Sequence, residues 1–201
     1  MPPTPSQQAF PDIILASTSP YRARLLDQIG LKYTSDAPDF EEKTSDALLP
    51  EVMARQFAEG KARSLTNKYP NSLIIGSDQT ASLNNQILTK PGSMEAACGQ
   101  LAACSGKEVV FYSGLAVLNT QSNRIQLAVD STTVKFRPLT ATQIENYVTT
   151  EQPLDCCGSF KVEGLGIALF ESVSSKDPYS LIGLPLINLI SMLKEEGLSI
   201  P

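Results

Sequence analysis

The hydrophobic and polar positions of this chain alternate between short apolar runs and longer stretches with apolar residues at helical spacing. The apolar run at residues 13–16 predicts a buried strand, which is followed by hydroxyl side chains and a helix start. Ser19 suits the N-cap of that helix, Pro20 suits its first position, and Gly30 is placed to end it. The segment therefore predicts a strand, a short loop and a helix.

The remaining elements follow in a mixed order and not as strict β-α-β repeats. Helical spacing of apolar residues predicts helices at residues 48–66, 94–104, 141–148 and 184–196. Apolar runs predict strands at residues 73–76, 109–118, 127–136 and 167–173, with a hairpin turn at residues 83–87. We expect the two longest strands to pair antiparallel within a mixed α/β fold.

The composition is typical of a globular protein with one domain or two closely packed lobes, with 201 residues, 42% hydrophobic and 18% charged. The net charge of -5 argues against broad binding to nucleic acid or to anionic membranes. No apolar stretch approaches the ~18 residues of a membrane span. Residues 1–11 lack the basic and apolar regions of a signal peptide, so we predict a flexible tail there, a single domain at residues 12–201 and a cytoplasmic location.

The absence of histidine narrows the chemistry further. Ser-His-Asp, Cys-His and histidine-ligated metal sites are all excluded within one chain. The four cysteines form no C-x-x-C pair, so we predict reduced, partly buried thiols and no zinc site. Acid-base work must fall to Asp, Glu, Lys or Tyr. Any metal would be held by oxygen ligands, which favours Mg²⁺ or Mn²⁺.

One acid and two lysines stand where an anion site would need them. Asp78 follows the apolar run at residues 73–76, and open α/β sheets bind ligands at the carboxyl ends of strands. A turn-forming or capping aspartate is the alternative interpretation. Lys61 shares the apolar stripe of its helix, which either aims it into a cleft or lays its aliphatic stem along the core. Lys90 lies in a rigid loop just before a helix.

The first predicted helix and an acidic loop add charges to this set. Arg22 and Arg24 bring positive charge beside the free N–H groups of the first turn, as a bound phosphate requires, although ordinary surface arginines give the same pattern. The acids within residues 39–42 and Asp46 offer a second carboxylate for a divalent ion, or form an exposed acidic loop. Together these residues predict a triphosphate site with one metal ion.

Several ordered blocks between residues 13 and 197 resemble the Maf-like nucleotide pyrophosphatases. The blocks are LASTSPYR at residues 15–22, Lys61-Ala62, IIGSDQ at residues 74–79, TKP at residues 89–91, FYSGL at residues 111–115 and GSFKVEGLG at residues 158–166. The resemblance implies a twisted central sheet flanked by helices, in two closely packed lobes with a cleft between them. It also implies a cytosolic enzyme that hydrolyses a nucleoside triphosphate between its α and β phosphates to a monophosphate and a diphosphate.

The resemblance further implies roles for individual residues. Asp78 would be the proton acceptor or a metal-bound carboxylate, with Glu42 as a second functional acid and metal ligand. The phosphate contacts would fall to Ser17, Ser19, Arg22, Lys61 and Lys90. Gly60 departs from the family pattern, because relatives commonly carry glutamate there, and this removes one acid from beside Lys61.

Three residues bear on the base that is accepted. Tyr21, Gln79 and Glu163 resemble the subgroup that acts on 7-methyl-GTP and not the one that acts on dTTP and UTP. N7-methylation makes guanine cationic, which favours an aromatic face and a carboxylate. The expected role is to clear modified nucleotides, as a homodimer and without nucleic-acid or membrane partners. A dTTP, UTP or broader modified-nucleotide pyrophosphatase and a nucleotide-binding regulator of septum formation are the alternatives.

Overall fold

A computed structural model describes residues 11–43 and 48–200 of the chain. The tail predicted at residues 1–11, apart from Pro11, and the predicted acid Asp46 lie outside the described residues. Within them the chain forms five α-helices: α1 (Pro20–Gln28), α2 (Pro50–Ser64), α3 (Met94–Cys104), α4 (Ala141–Glu151) and α5 (Leu186–Glu195). It also forms seven β-strands: β1 (Asp12–Ala16), β2 (Thr34–Asp36), β3 (Ser72–Leu83), β4 (Gln86–Leu88), β5 (Glu108–Asn119), β6 (Arg124–Phe136) and β7 (Phe170–Ser175).

All seven strands belong to one mixed sheet. Its order is β2-β1-β3-β5-β6-β7, and β4 pairs with β3 beside that path. β1 is parallel to both β2 and β3, whereas the pairs β3 with β5, β5 with β6 and β6 with β7 are antiparallel. The mixed α/β class and the antiparallel pairing of the two longest predicted strands are confirmed.

β3 is much longer than the strand predicted at residues 73–76. It pairs with β1 as far as Gly76 and with β4 from Ala81 onward, while β5 runs beside it from Leu73 to Ser82. The prediction that Asp78 follows the end of its strand is wrong, because the pairing with β5 carries β3 on through these polar residues. Asp78 lies instead just beyond the end of the neighbouring strand β1.

Two further predicted elements begin elsewhere. The strand predicted from residue 167 is wrong at its start, since the 3-10 helix Leu165–Leu169 precedes β7. Gly166 N donates to Lys161 O at 3.0 Å and closes a turn there. The apolar residues around Gly166 look like a strand in the sequence, so the pattern gives no sign of this turn. The last helix begins at Leu186 and not at residue 184, because Pro185 lies at its N-cap with an extended backbone.

The predicted N-cap of α1 and the predicted hairpin are present. Ser19 Oγ accepts a hydrogen bond from Arg22 N, 3.4 Å away, at the start of α1. Thr140 and Gln143 form the reciprocal capping box of α4. Between β3 and β4, Asn84 and Asn85 adopt φ angles of 51° and 65°, the left-handed conformation that a tight hairpin turn requires.

Three buried apolar clusters divide the molecule into two lobes. In the first lobe, α1 and α5 pack on one face of the sheet around Leu26 and Ile75, and α2 packs on the other face around Ala62. In the second lobe, α3 and α4 cover the start of β5 and the end of β6 around Phe111 and Phe136. β3, β5 and β6 run through both lobes. In the described part of the chain, no helix is long and apolar enough to cross a membrane.

Candidate active site

A cleft of about 500 Å³ opens where β3 passes from its pairing with β1 to its pairing with β4. The segments that follow β1 and β2 line it, together with α2, β3 and the loops at residues 89–92 and 155–163. All ten residues predicted for the site line this cleft: Ser17, Ser19, Tyr21, Arg22, Glu42, Lys61, Asp78, Gln79, Lys90 and Glu163. The structure therefore brings the predicted residues together, while their individual roles stay predictions.

A charged cluster of Lys61, Asp78 and Glu42 lies in this cleft. Lys61 Nζ is 2.6 Å from Asp78 Oδ1 and 2.6 Å from Glu42 Oε1. Lys61 and Asp78 are buried, at 7% and 6% exposure, whereas the Glu42 side chain is 42% exposed. Lys61 points inward, as its place on the apolar stripe of α2 predicts. Two carboxylates thus share one ammonium group at the edge of the cleft.

Two glycines in the sheet let α2 approach closely enough for this contact. A Cβ on Gly76 would lie 2.2 Å from Ala58 O, and a Cβ on Gly114 would lie 2.1 Å from Ala54 O. Any side chain at either position would overlap the helix backbone, so only glycine permits this spacing. The close approach of α2 brings Lys61 to the carboxylate on β3.

Burial and charge act in opposite directions on the two carboxylates. Burial raises the pKa of Asp78 above its ordinary value, and the positive charges of Lys61 and Arg22 only partly offset this effect. Burial also acts to raise the pKa of Glu42, but the hydrogen bond and charge of Lys61, together with the charges of Lys90 and Arg22, outweigh it and leave that pKa below its ordinary value. An acid pair with such unequal proton affinities is typical of acid-base sites.

Gly60 makes room for the aromatic ring that positions Glu42. A Cβ on Gly60 would lie 2.1 Å from Phe40 Cε2. The Phe40 ring also packs edge to face on Phe57, with ring centroids 5.9 Å apart. These contacts hold the segment after β2 against α2 and bring Glu42 to Lys61.

The loop after β1 contributes hydroxyl and guanidinium groups. Ser17 Oγ accepts hydrogen bonds from Ser19 N, 3.1 Å away, and from Arg22 Nη1, 3.3 Å away. Arg22 Nε donates to Gly183 O at 2.8 Å. These two bonds use two of the five N–H donors of the guanidinium. The other three donate to no protein atom among the described residues and can reach an anion in the cleft.

Lys90 adds a third cation to the cleft. It is exposed in the loop between β4 and α3, and its charge helps to lower the pKa of Glu42. Arg22, Lys61 and Lys90 together outnumber the two acids of the charged cluster. This part of the cleft is therefore suited to a polyanion such as a triphosphate.

Another part of the cleft is acidic and aromatic. Burial raises the pKa of Tyr21; the positive charge of Lys161 opposes this rise, and the charges of Glu163 and Asp155 add to it. Partial burial of its carboxyl group likewise raises the pKa of Glu163, although the residue as a whole is exposed. Lys161 Nζ donates to the carbonyl oxygens of Glu151 and Gln152 at the end of α4, at 3.0 and 3.4 Å. Asp155 is not among the residues predicted for the site, because a single acid in a loop carries no pattern that marks it.

Gln79 faces away from Asp78, on the other side of β3. Its Nε2 lies 3.1 Å from Ser113 Oγ, 3.0 Å from Ser180 O and 3.1 Å from Leu181 O. The amide nitrogen predicted to select the base is therefore engaged by the protein itself. The sequence could not reveal these partners, because they lie 34 to 102 positions further along the chain.

Gln79 is half-buried and belongs to a larger group of polar residues whose other members are buried. We call this group the polar belt: Ser77, Gln79, Ser113, Asp130 and Ser180. Ser113 Oγ donates to Ser180 O at 2.6 Å, and the Ser180 hydroxyl donates to the Asp130 carboxylate. Ser77 Oγ lies 2.8 Å from Gly114 O and from Gly183 O. The belt crosses the sheet between the apolar clusters of the two lobes on that face.

Two adjacent cysteines also line the cleft. Cys156 and Cys157 are free and half-buried. Burial raises the pKa of Cys156 to about 12 and raises the pKa of Cys157 as well. Both cysteines are therefore neutral thiols near pH 7, and their free, half-buried state agrees with the prediction of reduced, partly buried thiols.

Asp78 and Glu42 are the residues best placed to hold a divalent cation. Across the described ranges, no group of three or more His, Cys, Asp or Glu side chains is arranged to hold a metal ion. Mg²⁺ often binds through one or two carboxylates and completes its coordination with water and phosphate oxygens. The two carboxylates that meet at Lys61 fit a hard cation that arrives with its substrate.

Comparison with known proteins gives a consistent picture. The family model described as Maf-like protein matches residues 12–196. A 7-methyl-GTP pyrophosphatase from Hahella chejuensis is 56% identical over 197 residues, which cover 98% of this chain and 99% of the relative. One of the same name from Pseudomonas aeruginosa is 50% identical over 96% of this chain and 100% of the relative. A third, from Alcanivorax borkumensis, is 47% identical over 95% of this chain and 97% of the relative.

Proposed function

This chain belongs to the Maf-like protein family, and from that membership we propose that it hydrolyses 7-methyl-GTP to 7-methyl-GMP and diphosphate. The observation that carries the proposal is the similarity, at about half the residues and over nearly the full length, to relatives named 7-methyl-GTP pyrophosphatase. The cleft supports it from the structural side, since cations and a buried acid gather in one part and carboxylates and a phenol in another.

The cations of the cleft would bind the triphosphate. Arg22 offers a guanidinium fork, whose free N–H groups suit bidentate bonds to phosphate oxygens. Lys61 and Lys90 act as point charges, and Ser17 and Ser19 place a hydroxyl-rich loop at the start of α1. These groups neutralise the charge that develops on the leaving diphosphate when the bond between the α and β phosphates breaks.

Asp78 would accept the proton of the attacking water. Its buried carboxylate has an increased proton affinity, which suits a general base better than an ordinary aspartate does. The water oxygen bonds to the α-phosphorus, the bridging bond to the β-phosphate breaks, and the diphosphate leaves. Lys61 holds the carboxylate in place through its 2.6 Å contact with Oδ1.

The family is associated with a divalent cation in general, and we propose that Asp78 and Glu42 hold Mg²⁺ or Mn²⁺ here. A bound cation of this kind supplies charge neutralisation at the phosphates and lowers the pKa of coordinated water. The exposure of Glu42 leaves that carboxylate accessible from the cleft.

Tyr21, Glu163 and Asp155 would receive the base. An N7-methylated guanine carries positive charge, which an aromatic face and two carboxylates favour over a neutral base. A carboxylate also accepts hydrogen bonds from the N1–H and amino groups of guanine. The charge distribution of the cleft thus complements a nucleotide with an anionic tail and a cationic base.

The setting of the reaction is part of the same proposal. We infer a single domain over residues 12–201 that acts in the cytoplasm as a homodimer and clears modified nucleotides from the free pool. The net charge of -5 supports action on small nucleotides and not on nucleic acid.

A substrate panel tests the proposal. The pure protein is incubated with 7-methyl-GTP, GTP, dTTP or UTP, each with Mg²⁺ or Mn²⁺, and diphosphate and monophosphate are measured. We expect equal amounts of the two products and the highest kcat/KM for 7-methyl-GTP, with no turnover after chelation by EDTA. Release of orthophosphate, or a higher kcat/KM for dTTP or UTP, would contradict the assignment.

A further inference from the structure

Glu163 lies in the middle of a short turn at residues 162–164, which we call the Glu163 turn. Lys161 O accepts from Gly164 N at 3.2 Å and from Gly166 N at 3.0 Å, and these two bonds close the turn. The turn brings Glu163 to the lining of the cleft. The position of the Glu163 carboxylate in the cleft therefore depends on how the two ends of this turn are held.

Helix α4 holds the end of the turn that precedes Glu163. Tyr147 Oη accepts a hydrogen bond from Lys161 N, 2.9 Å away, and Tyr147 is buried at 6% exposure. Lys161 Nζ donates in turn to Glu151 O at 3.0 Å and to Gln152 O at 3.4 Å. These carbonyl groups lie at the negative end of the helix dipole, which favours an ammonium group there. The main chain and the side chain of Lys161 are thus both bound to α4.

The same helix holds the end of the turn that follows Glu163. Leu165 N donates to Glu151 Oε1 at 3.2 Å. A Cβ on Gly164 would lie 2.5 Å from Glu151 Oε2, so the backbone of the turn packs directly against that carboxylate. One helix therefore holds the Glu163 turn at both ends.

The two side chains of α4 that hold the turn have a rigid support and lie outside the cleft. The Tyr147 ring belongs to the apolar cluster of the second lobe, together with Ile144 and Val148. Tyr147 and Glu151 are four residues apart, so they lie on the same face of the helix. In the part of the chain that the structure describes, neither residue lines the cleft, and Tyr147 lines a separate cavity of about 320 Å³. Both residues can thus act on a substrate through the turn.

We propose that Tyr147 and Glu151 are positioning residues that set the place of the Glu163 carboxylate and thereby the preference for a cationic base over a neutral one. This inference rests on the proposed function for its kinetic readout. A carboxylate attracts a positive charge more strongly the closer it lies, whereas the neutral base of GTP gains only hydrogen bonds from it. A displaced Glu163 turn should therefore weaken the recognition of 7-methyl-GTP more than that of GTP.

Variants of the helix, alone and combined with a variant of the turn, test the proposal. Tyr147→Phe removes the hydroxyl and keeps the buried ring, whereas Glu151→Ala removes the carboxylate. Glu151→Gln removes the charge but keeps an oxygen that can accept from Leu165 N. Tyr147→Phe and Glu151→Ala are each also made in the Glu163→Gln background. In the full chain, kcat/KM is measured for 7-methyl-GTP and GTP, tripolyphosphate binding by calorimetry, and amide hydrogen exchange at residues 161–166.

We expect Tyr147→Phe and Glu151→Ala each to lower the preference for 7-methyl-GTP over GTP by about three- to fivefold, because a hydrogen bond that holds the turn is lost. Amide exchange at residues 161–166 should become faster in both variants, and tripolyphosphate binding should not change. Glu151→Gln should keep the wild-type preference, which separates the position of the turn from the charge of Glu151. In the Glu163→Gln background the two helix variants should change the ratio by less than about twofold.

Thr150→Ala is the matched control on the same helix. Thr150 adjoins Glu151, and its Oγ1 donates to Asn146 O at 2.8 Å, within α4. Because this bond does not reach the turn, the variant should leave both the preference and the exchange at residues 161–166 unchanged.

Three outcomes would overturn the positioning role. They are an unchanged preference in Tyr147→Phe and Glu151→Ala, a full effect of these variants in the Glu163→Gln background, and weaker tripolyphosphate binding, which would indicate a general structural loss. If the wild type did not hydrolyse 7-methyl-GTP, the proposed function would fail, and the exchange at residues 161–166 would still decide whether α4 holds the turn.

Discussion

Asp78 and Gln79 are neighbours on β3, yet they belong to two polar regions with opposite properties. On the side of Asp78, two carboxylates compete for one lysine at the edge of a cleft. On the side of Gln79, the polar belt pairs donors with acceptors, and the bonds that join Ser113, Ser180 and Asp130 are buried. Because side chains alternate across a strand, one residue step separates the two regions.

The difference shows how to separate chemistry from support within one cluster of polar residues. A charged group that competes with a like charge for one counter-ion can bind a ligand. Burial that shifts its pKa is a second sign of a functional group. A polar group whose hydrogen bonds are all made internally contributes geometry and stability instead. By this criterion we propose a role in the reaction for Asp78 and a structural role for Asp130, although both are buried aspartates at 6% exposure.

Asp78→Asn has the largest expected effect and tests whether the two sides of β3 differ in function. The amide cannot accept a proton from water, so kcat for 7-methyl-GTP should fall by about 10³-fold. Thermal unfolding should change little, because the substitution removes a charge that burial disfavours. Diphosphate release and differential scanning calorimetry measure the two effects. Turnover near the wild-type rate would show that Asp78 is not the base.

Asp130→Asn is the matched variant on the other side of the strand. Its carboxylate accepts the hydroxyl of the buried Ser180, so we expect the free energy of unfolding to drop by about 1–3 kcal/mol. kcat should fall by no more than about tenfold. A larger loss of turnover than in Asp78→Asn would reverse the assignment of the two regions.

Gly114→Ala tests whether the close approach of α2 makes the charged cluster. The added Cβ would lie 2.1 Å from Ala54 O, so α2 must move away from the sheet and carry Lys61 with it. We expect kcat/KM to fall by about 10²-fold and stability by about 1–3 kcal/mol. Gly99→Ala in α3 is the control, because nothing lies within 4 Å of its Cβ. It should raise stability by about 0.5–1 kcal/mol with unchanged kinetics.

Glu163→Gln has the smallest expected effect and tests base recognition at the other end of the cleft. Glu163 is exposed, so its removal should leave thermal unfolding unchanged. The preference for 7-methyl-GTP over GTP should fall by about tenfold, because one charge that attracts the cationic base is lost. kcat/KM for the two nucleotides, measured side by side, gives this ratio. An unchanged ratio would assign base recognition to other residues of the cleft.

The site residues could be predicted from the sequence where a local pattern marked them. Lys61 stands out because a charge interrupts an apolar stripe, and Asp78 because an acid follows an apolar run. The start of α1 could be predicted because Ser19 and Pro20 are strong capping signals. These signals act within one or two helical turns or strand lengths.

The rest could not be predicted because its causes are distant in sequence. β3 continues through Asp78, Gln79 and Thr80 because β5 pairs with it, and no apolar run announces that pairing. The partners of Gln79 lie in the segment around Ser180, about a hundred residues away. The role of Gly60 depended on the place of Phe40, which belongs to another element.

The three strands shared by both lobes form one continuous sheet beneath the cleft. β5 is paired with β3 over ten residues and with β6 over twelve, so the lobes cannot rotate about a flexible hinge without bending the sheet. The cleft must then bind its substrate with a preformed surface, and it distinguishes substrates by how well they fit that surface.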